Sequence, residues 1–440
     1  MIDYAASIRP SARQLAWQKL EFYAFIHFGM NTFTNREWGD GRESPALFQP
    51  SAFDARQWAR AVRSAGMRGI ILTAKHHDGF CLWPSAYTEH SVKHSPWKRD
   101  AVREVADACR AEGLRFGVYL SPWDRHEPSY GRGREYDDYF VHQLTELATG
   151  YGELFAFWFD GACGEGANGK RQIYDWERYF SVIRRLQPGA VISVCGPDVR
   201  WCGNEAGRCR ESEWSVVPSE LRNAERTQSL SQQADDPAFA RRIDSTQDDL
   251  GSRAAIANAR ELVWYPAEVN TSIRPGWFYH PEQDESVRTA GELFDIYLNS
   301  VGANAAFLLN IPPDARGRIA DPDLKALSEL GARIHSELER PPRFRLSSVP
   351  APGEIAIPLQ EEAFVDYVIL REDIARGQRI ERGEIALDGE VKCAFTVIGH
   401  KRICPIHAPA RREIAIRIPE SRAEAEISIE VIARDSALFP

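Results

Sequence analysis

The sequence predicts a (β/α)8 TIM-like barrel followed by a small C-terminal antiparallel β-sandwich. Three observations predict it. Apolar runs recur roughly every 35–50 residues with helix-periodic segments between them. The texture changes to short alternating runs after Pro341-Pro342. The length of 440 residues suits one barrel plus one smaller module. The expected division is residues 1–340 for the barrel and 341–440 for the sandwich.

The clearest strands are 22–29, 69–77, 115–121, 154–160 and 191–198. They are near-continuous apolar runs, as expected where both faces of a parallel sheet are buried. Three further strands, 213–217, 262–269 and 303–311, would complete the eight. Between the first strands lie helical segments. In 54–66, Trp58, Ala61, Val62 and Ala65 share a face and Gly66 supplies a stop. Segments 100–113 and 174–186 follow the same pattern, and a last helix, 324–338, would pack outside the barrel. The polar stretch 219–253 reads as a helical excursion over one barrel face. Runs 354–358, 364–370, 380–387 and 414–418 alternate with the two-residue period of half-buried strands.

Composition narrows the function. Apolar residues make up 43% of the chain, enough for a sizeable core, and there are 12 Trp. Indole faces stack on pyranose rings, although core packing accounts for many tryptophans. A net charge of −9 argues against nucleic acid and anionic membrane surfaces as partners. There is no basic, then apolar, leader pattern and no run of about 18 apolar residues. The expectation is a soluble protein, cytoplasmic as it stands, or periplasmic or secreted if a leader has been removed. Eight cysteines occur without a C-x-x-C pair, so neither a zinc site nor a disulfide framework is implied.

In such a barrel the chemistry collects at the C-terminal ends of the strands. Five consecutive predicted strands end in polar residues: His27, Lys75-His76-His77-Asp78, Tyr119 to Asp124, Trp158-Phe159-Asp160, and Asp198 followed by Trp201 and Glu205. Together they point to one pocket. His27, His76 and His77 could ligate a metal, bind hydroxyl groups or serve the core. Adjacent residues on a regular strand face opposite ways, which disfavours a metal shared by His76 and His77, and the expectation is no metal and no cofactor. Asp160 ends an apolar run, where a carboxylate is costly unless answered; a nucleophile is one reason to keep it there, loop bracing another. Glu205 lies in a Gly-rich loop beside Trp201.

These tips resemble glycoside hydrolase family 29, the retaining α-L-fucosidases. The resemblance is carried by residues 27–33, Arg36-Glu37-Trp38-Gly39, residues 75–80, residues 158–161 and residues 273–279. It implies Asp160 as nucleophile. It implies His27, His76, His77, Glu37 and Trp38 as sugar contacts, Tyr119 and Trp158 as pocket residues, and Trp277 beside the fucose methyl group. Residues 200–207 and 213–218 resemble the subgroup acting on α-1,3/1,4-linked, Lewis-type branched glycans, which implies Glu205 as acid/base. Cys202 stands where a small aliphatic residue is expected. Glu211 and Glu213 are the fallback acids.

The implied partners are fucosylated oligosaccharides. Retention would place the two carboxyls about 5–5.5 Å apart, with Asp160 ionised and Glu205 protonated because Asp160 is negative. The competing readings are another barrel glycosidase, a silent sugar-binding protein and a metal-dependent amidohydrolase.

Overall fold

The computed structural model describes residues 1–236, 239 and 249–435. Eight strands form one parallel sheet: β1 (Phe22–Ile26), β2 (Gly69–Lys75), β3 (Arg115–Leu120), β4 (Ala156–Phe159), β5 (Val191–Val194), β6 (Arg200–Trp201), β7 (Ala267–Ser272) and β8 (Ala306–Asn310). Their order is β5-β4-β3-β2-β1-β8-β7-β6. The seam between β5 and β6 is drawn together by one parallel bridge, Ser193 to Val199, so the sheet is a nearly closed barrel.

Alternation along each strand builds two cores. Phe22, Ala24 and Ile26 pack outward with the helices. Tyr23 and Phe25 point inward with Ile71, Tyr119, Trp158, Val191 and Leu308. Both faces are therefore apolar, which is why these strands read as continuous runs.

The helices start and stop where local chemistry dictates. Asp54, Asp100 and Asp175 each accept a backbone N–H as N-cap of helices Ala55–Ser64, Ala101–Ala111 and Trp176–Leu186. Gly66 and Gly113, at positive φ, follow the first two. Helices Arg134–Gly150 and Ala290–Ser300 were not anticipated, because their apolar faces are diluted by charged and polar residues. The last barrel helix, Asp321–Leu338, begins three residues earlier than expected.

Two strand expectations are corrected. The sixth barrel strand is Arg200–Trp201, not 213–217. It is two residues long and follows β5 without a helix, so it leaves no periodic signal. The apolar run at 213–217 instead feeds Val216–Pro218, which pairs antiparallel with Leu262–Trp264 off the barrel. The expected strand 262–269 is two elements. Pro266, which has no N–H to donate, separates Leu262–Trp264 from β7. Within 219–253, the described residues form a 3-10 turn at Ser219–Arg222 and a helix at Ala224–Leu230; residues 237–238 and 240–248 lie outside the description.

Beyond the barrel come β9 (Phe344–Ala351), β10 (Gly353–Pro358), β11 (Ala363–Glu372), β12 (Ile380–Leu387), β13 (Glu390–Phe395), β14 (Arg402–Ala410), β15 (Glu413–Ser421) and β16 (Ala425–Asp435). They form two antiparallel sheets, β9-β16-β11-β14 and β10-β15-β12-β13. Val365, Ile385, Ile416 and Ile429 belong to the apolar cluster between them. Among the described residues no helix is long and apolar enough to cross a membrane.

A buried ion pair clasps the sandwich to the bottom of the barrel. Glu21, just before β1, accepts from Lys401 Nζ at 2.8 Å and meets His400 Nε2 at 3.1 Å. Burial alone would raise the Glu21 pKa, but Lys401 and His400 outweigh it and hold the carboxyl far below its usual range. A depressed pKa stabilises the fold fully above the unfolded value of about 4.3, and that contribution is lost as the pH falls. Lys401→Ala leaves Glu21 buried with its main partner gone, so it is expected to cost about 3 kcal/mol. Urea denaturation at neutral and acidic pH checks this; the deficit shrinks on acidification.

Candidate active site

One pocket opens at the C-terminal rim of the barrel, with about 580 Å³ of empty space including its mouth. β1 supplies Phe25 and the residue just after it, His27. The following loop supplies Glu37 and Trp38. His76 and His77 come from the turn after β2, and Trp158 and Asp160 from β4 and its end. β6 gives Trp201, its loop Glu205, β7 Asn270, and the loop after β7 Trp277. Tyr119 lies one layer deeper, fully buried, and reaches the pocket through Asp160. Phe25, Val194, Asn270, Ser231 and Gln232 also line it. Sequence reading missed them, because apolar and amide side chains carry no distinctive pattern.

The turn after β2 is held from below. Lys75 is fully buried and donates to Asp124 at 2.8 Å and to Gln143 at 2.9 Å. Asp124 also accepts from the backbone of His126 and Glu127. A Cβ on Gly79, whose φ is +80°, would lie 2.5 Å from Asp124 Oδ1, so this position requires glycine. β2 ends at Lys75. His76 and His77 are therefore not adjacent strand residues, and both rings line the pocket with centroids 4.1 Å apart. This overturns the argument that they face opposite ways. His76, His77 and Asp160 bring ligand atoms within 4.8 Å of one another, a group that could hold a cation.

Hydrogen bonds assign the histidine tautomers. Asn310 Nδ2 donates to Trp277 O, so its Oδ1 faces His27 Nδ1 at 2.8 Å and accepts that proton. Ser121 donates to Trp123 O, so it accepts from His77 Nδ1 at 2.7 Å. Both rings keep an Nε2 lone pair, and that of His77 lies 3.8 Å from Asp160. Asn31 Nδ2 lies 3.4 Å from His76 Nδ1, which leaves His76 Nε2 as an N–H. Burial pushes His27 and His77 down to about 3 and His76 well below its ordinary value. Neutral rings offering two acceptors and one donor suit hydroxyl groups rather than an anion.

Glu37 ties two rim loops together. It accepts from the backbone N–H of Trp277 and Phe278 and from His280 Nε2 at 2.7 Å. His280 Nδ1 faces Asn35 Oδ1 at 2.6 Å, so both ring nitrogens meet acceptors. Both contacts favour the protonated ring, and the hydrogen bond to Glu37 is the largest cause of its raised pKa.

The two candidate carboxyls differ in their surroundings. Asp160 is raised by burial, but Tyr119 O–H at 2.9 Å and the backbone N–H groups of Ala162 and Gly161 favour its charged form. Glu205 has one donor among the described residues, Trp277 Nε1 at 3.0 Å. Burial pushes Glu205 up to about 8, and the charges of Asp160 and Glu37 add to it. Burial is thus the main cause of its proton affinity, and the Asp160 charge is secondary. Glu213 is fully buried between Arg200 and Arg210, and Glu211 is exposed; neither lines the pocket. Beneath the floor, Glu268 accepts from Tyr23 O–H and from Trp158 Nε1 at 2.7 Å, fixing that indole. Nothing in the strand pattern distinguishes Glu268 as a floor support.

A nearly closed parallel barrel whose rim pocket is lined by two carboxyls in unequal surroundings and three neutral imidazoles has the layout of a barrel glycoside hydrolase. Residues 13–337 match the family described as alpha-L-fucosidase. Alpha-L-fucosidase 1 of Arabidopsis thaliana is 45% identical over 331 residues, 74% of this chain and 60% of its own length. A crystal structure from Bacteroides ovatus shares 45% identity with a TM-score of 0.88, over 98% of this chain and 75% of its own. A Ruminococcus gnavus GH29 fucosidase, solved in complex with fucose, shares 27% identity with a TM-score of 0.78, over 97% and 95%. The chain belongs to the α-L-fucosidases of glycoside hydrolase family 29.

Trp277 holds Glu205 as well as walling the pocket, so removing its N–H alters the surroundings of that carboxyl. Trp277→Phe keeps an aromatic wall and deletes a bond that favours the charged carboxylate. The Glu205 titration is expected to move upward from about 8, read from its carbon-13 carboxyl resonance across the neutral to alkaline range.

Proposed function

We propose that this protein removes terminal α-1,3/1,4-linked L-fucose from glycans by double displacement with net retention. Asp160 attacks the anomeric carbon while Glu205 gives its proton to the departing glycosidic oxygen. The covalent ester cancels the Asp160 charge, Glu205 becomes the base, and water releases fucose. The observation that carries this reading is the unequal proton affinity of two carboxyls lining one pocket, with donors concentrated on Asp160.

Other features support it. The neutral rings of His27, His76 and His77 match a sugar's hydroxyls, and Trp158, Trp201 and Trp277 give apolar faces for the ring. Glu205 and Trp277 are shared with an adjoining groove, about 1790 Å³ of empty space including open solvent, which has room for the rest of a branched glycan. The fucose complex of the R. gnavus relative supports the sugar. The likeness of residues 200–207 and 213–218 to the α-1,3/1,4 subgroup supports the linkage. A second reading, a cation held by His76, His77 and Asp160, rests on their close ligand atoms.

Asp160→Gly is expected to lower turnover of an aryl fucoside on the order of 10³-fold or more, with azide restoring part of the rate as a fucosyl azide of inverted configuration. Glu205→Ala should cripple hydrolysis of a trisaccharide and spare an aryl fucoside with a good leaving group. Equal losses would reassign the acid, and inactivation by a chelator would favour the cation reading. On natural substrates, Lewis trisaccharides should be cleaved well ahead of 2′-fucosyllactose; a reversed order, read by product chromatography, would overturn the linkage assignment.

A further inference from the structure

A second cavity lies at the N-terminal end of β5, away from the rim pocket, with about 780 Å³ of empty space including its open mouth. It sits beside Asp198, which accepts from the backbone N–H of Ile192 near the start of that strand. It shares no lining residue with the rim pocket or its groove. Arg9, Arg13, Arg184 and Arg222 line it, and among the described residues Asp198 is the one carboxylate that does. In a chain with a net charge of −9, this is a local excess of cations.

Asp198 is already engaged. Its Oδ1 accepts from Arg13 Nε at 3.1 Å, and its Oδ2 accepts from Arg184 Nη2 and from the Ile192 N–H at 2.8 Å. The arginines have donors to spare. Among the described residues, Arg13 donates through Nε alone, and both of its terminal amino groups lack an acceptor. Arg222 donates through Nη2 alone, to Trp264 O at 3.0 Å, and its buried Nε has no partner. Arg9 uses Nη1 alone, on the carbonyls of Ala6 and Ile8. Burial lowers the Arg222 pKa, and the charge of Arg184 adds to that effect. An anion in the cavity would relieve this crowding of like charges.

We propose that this basal cavity binds the phosphate or sulfate ester group of a sugar-sized molecule. Two observations set the class. A guanidinium presents five N–H donors in a planar fork, which matches the several equivalent oxygens of a tetrahedral oxyanion and is poorly used by a neutral hydroxyl. The empty space exceeds the 580 Å³ of the rim pocket, and Pro10, Pro197 and Val263 line part of it, so an organic body fits beside the charged group. Asp198 is held by two arginines and is not free to act as a base, so the ester is bound and not turned over.

The test titrates the full chain with glucose 6-phosphate and glucose 6-sulfate by isothermal calorimetry, with glucose and inorganic phosphate as controls. Both esters are expected to bind at one site, more tightly than inorganic phosphate and more weakly as salt is added, and glucose is not. Arg222→Gln and Arg9→Gln should each weaken the esters by about tenfold or more. Arg9 is exposed, so its variant reads binding without a risk to folding. Aryl-fucoside hydrolysis at saturating ester should be unchanged. Absence of ester binding, glucose or inorganic phosphate binding as tightly as the esters, or an affinity untouched by Arg9→Gln would each overturn the proposal. So would competitive inhibition of hydrolysis, which would place the ester in the rim pocket.

Discussion

Two carboxyl groups cannot both be charged cheaply in one small pocket walled by indoles, and the rim of this barrel is built around that constraint. Burial raises the proton affinity of both. What separates them is the supply of donors. Asp160 receives a phenol and two backbone N–H groups, and Glu205 receives one indole N–H. An anion is thereby favoured on one side of the pocket and a retained proton on the other, with no lysine or arginine among the described residues that line the pocket.

The rest of the rim keeps this balance in place. The three histidines are neutral because they are buried, so they add hydrogen-bonding capacity without adding charge that would draw Glu205 toward ionisation. His280, whose pKa is raised, is engaged by Glu37, which locks the loop after β1 to the loop carrying Trp277. Trp277 in turn reaches Glu205. A chain of contacts thus runs from the Asn35 turn to the candidate acid. Below, the buried Lys75–Asp124 pair fixes the turn that presents His76 and His77.

The parts of the fold legible in the sequence were those with strong local signals. β1 to β4 are apolar on both faces, and the helices after β1 and β2 carry Asp caps and Gly stops, so those boundaries fell within a few residues. β6 could not be read, because two residues have no period and Arg200 lacks strand character. The apolar run at 213–217 was misplaced for the opposite reason: hydrophobicity reports burial, and that segment is buried in a two-stranded antiparallel pair beside the barrel. His27, His76, His77 and Asp160 were legible as polar tips on apolar strands, whereas Glu37, Trp38 and Trp277 came from the resemblance. Asn310, Asn270, His280 and Glu268, which orient them, were not, since each is an ordinary side chain until its partner is known.

By itself the sequence determined the layer architecture, the polar rim and the family, because periodicity, capping and contiguous motifs are encoded by near neighbours in the chain. The tertiary structure alone decided which tautomer each histidine adopts, which carboxyl keeps its proton, and that His76 and His77 line one pocket together. Those properties depend on desolvation and on hydrogen-bond partners contributed by strands hundreds of residues apart, as with Asn310 and His27, and no local pattern carries that information.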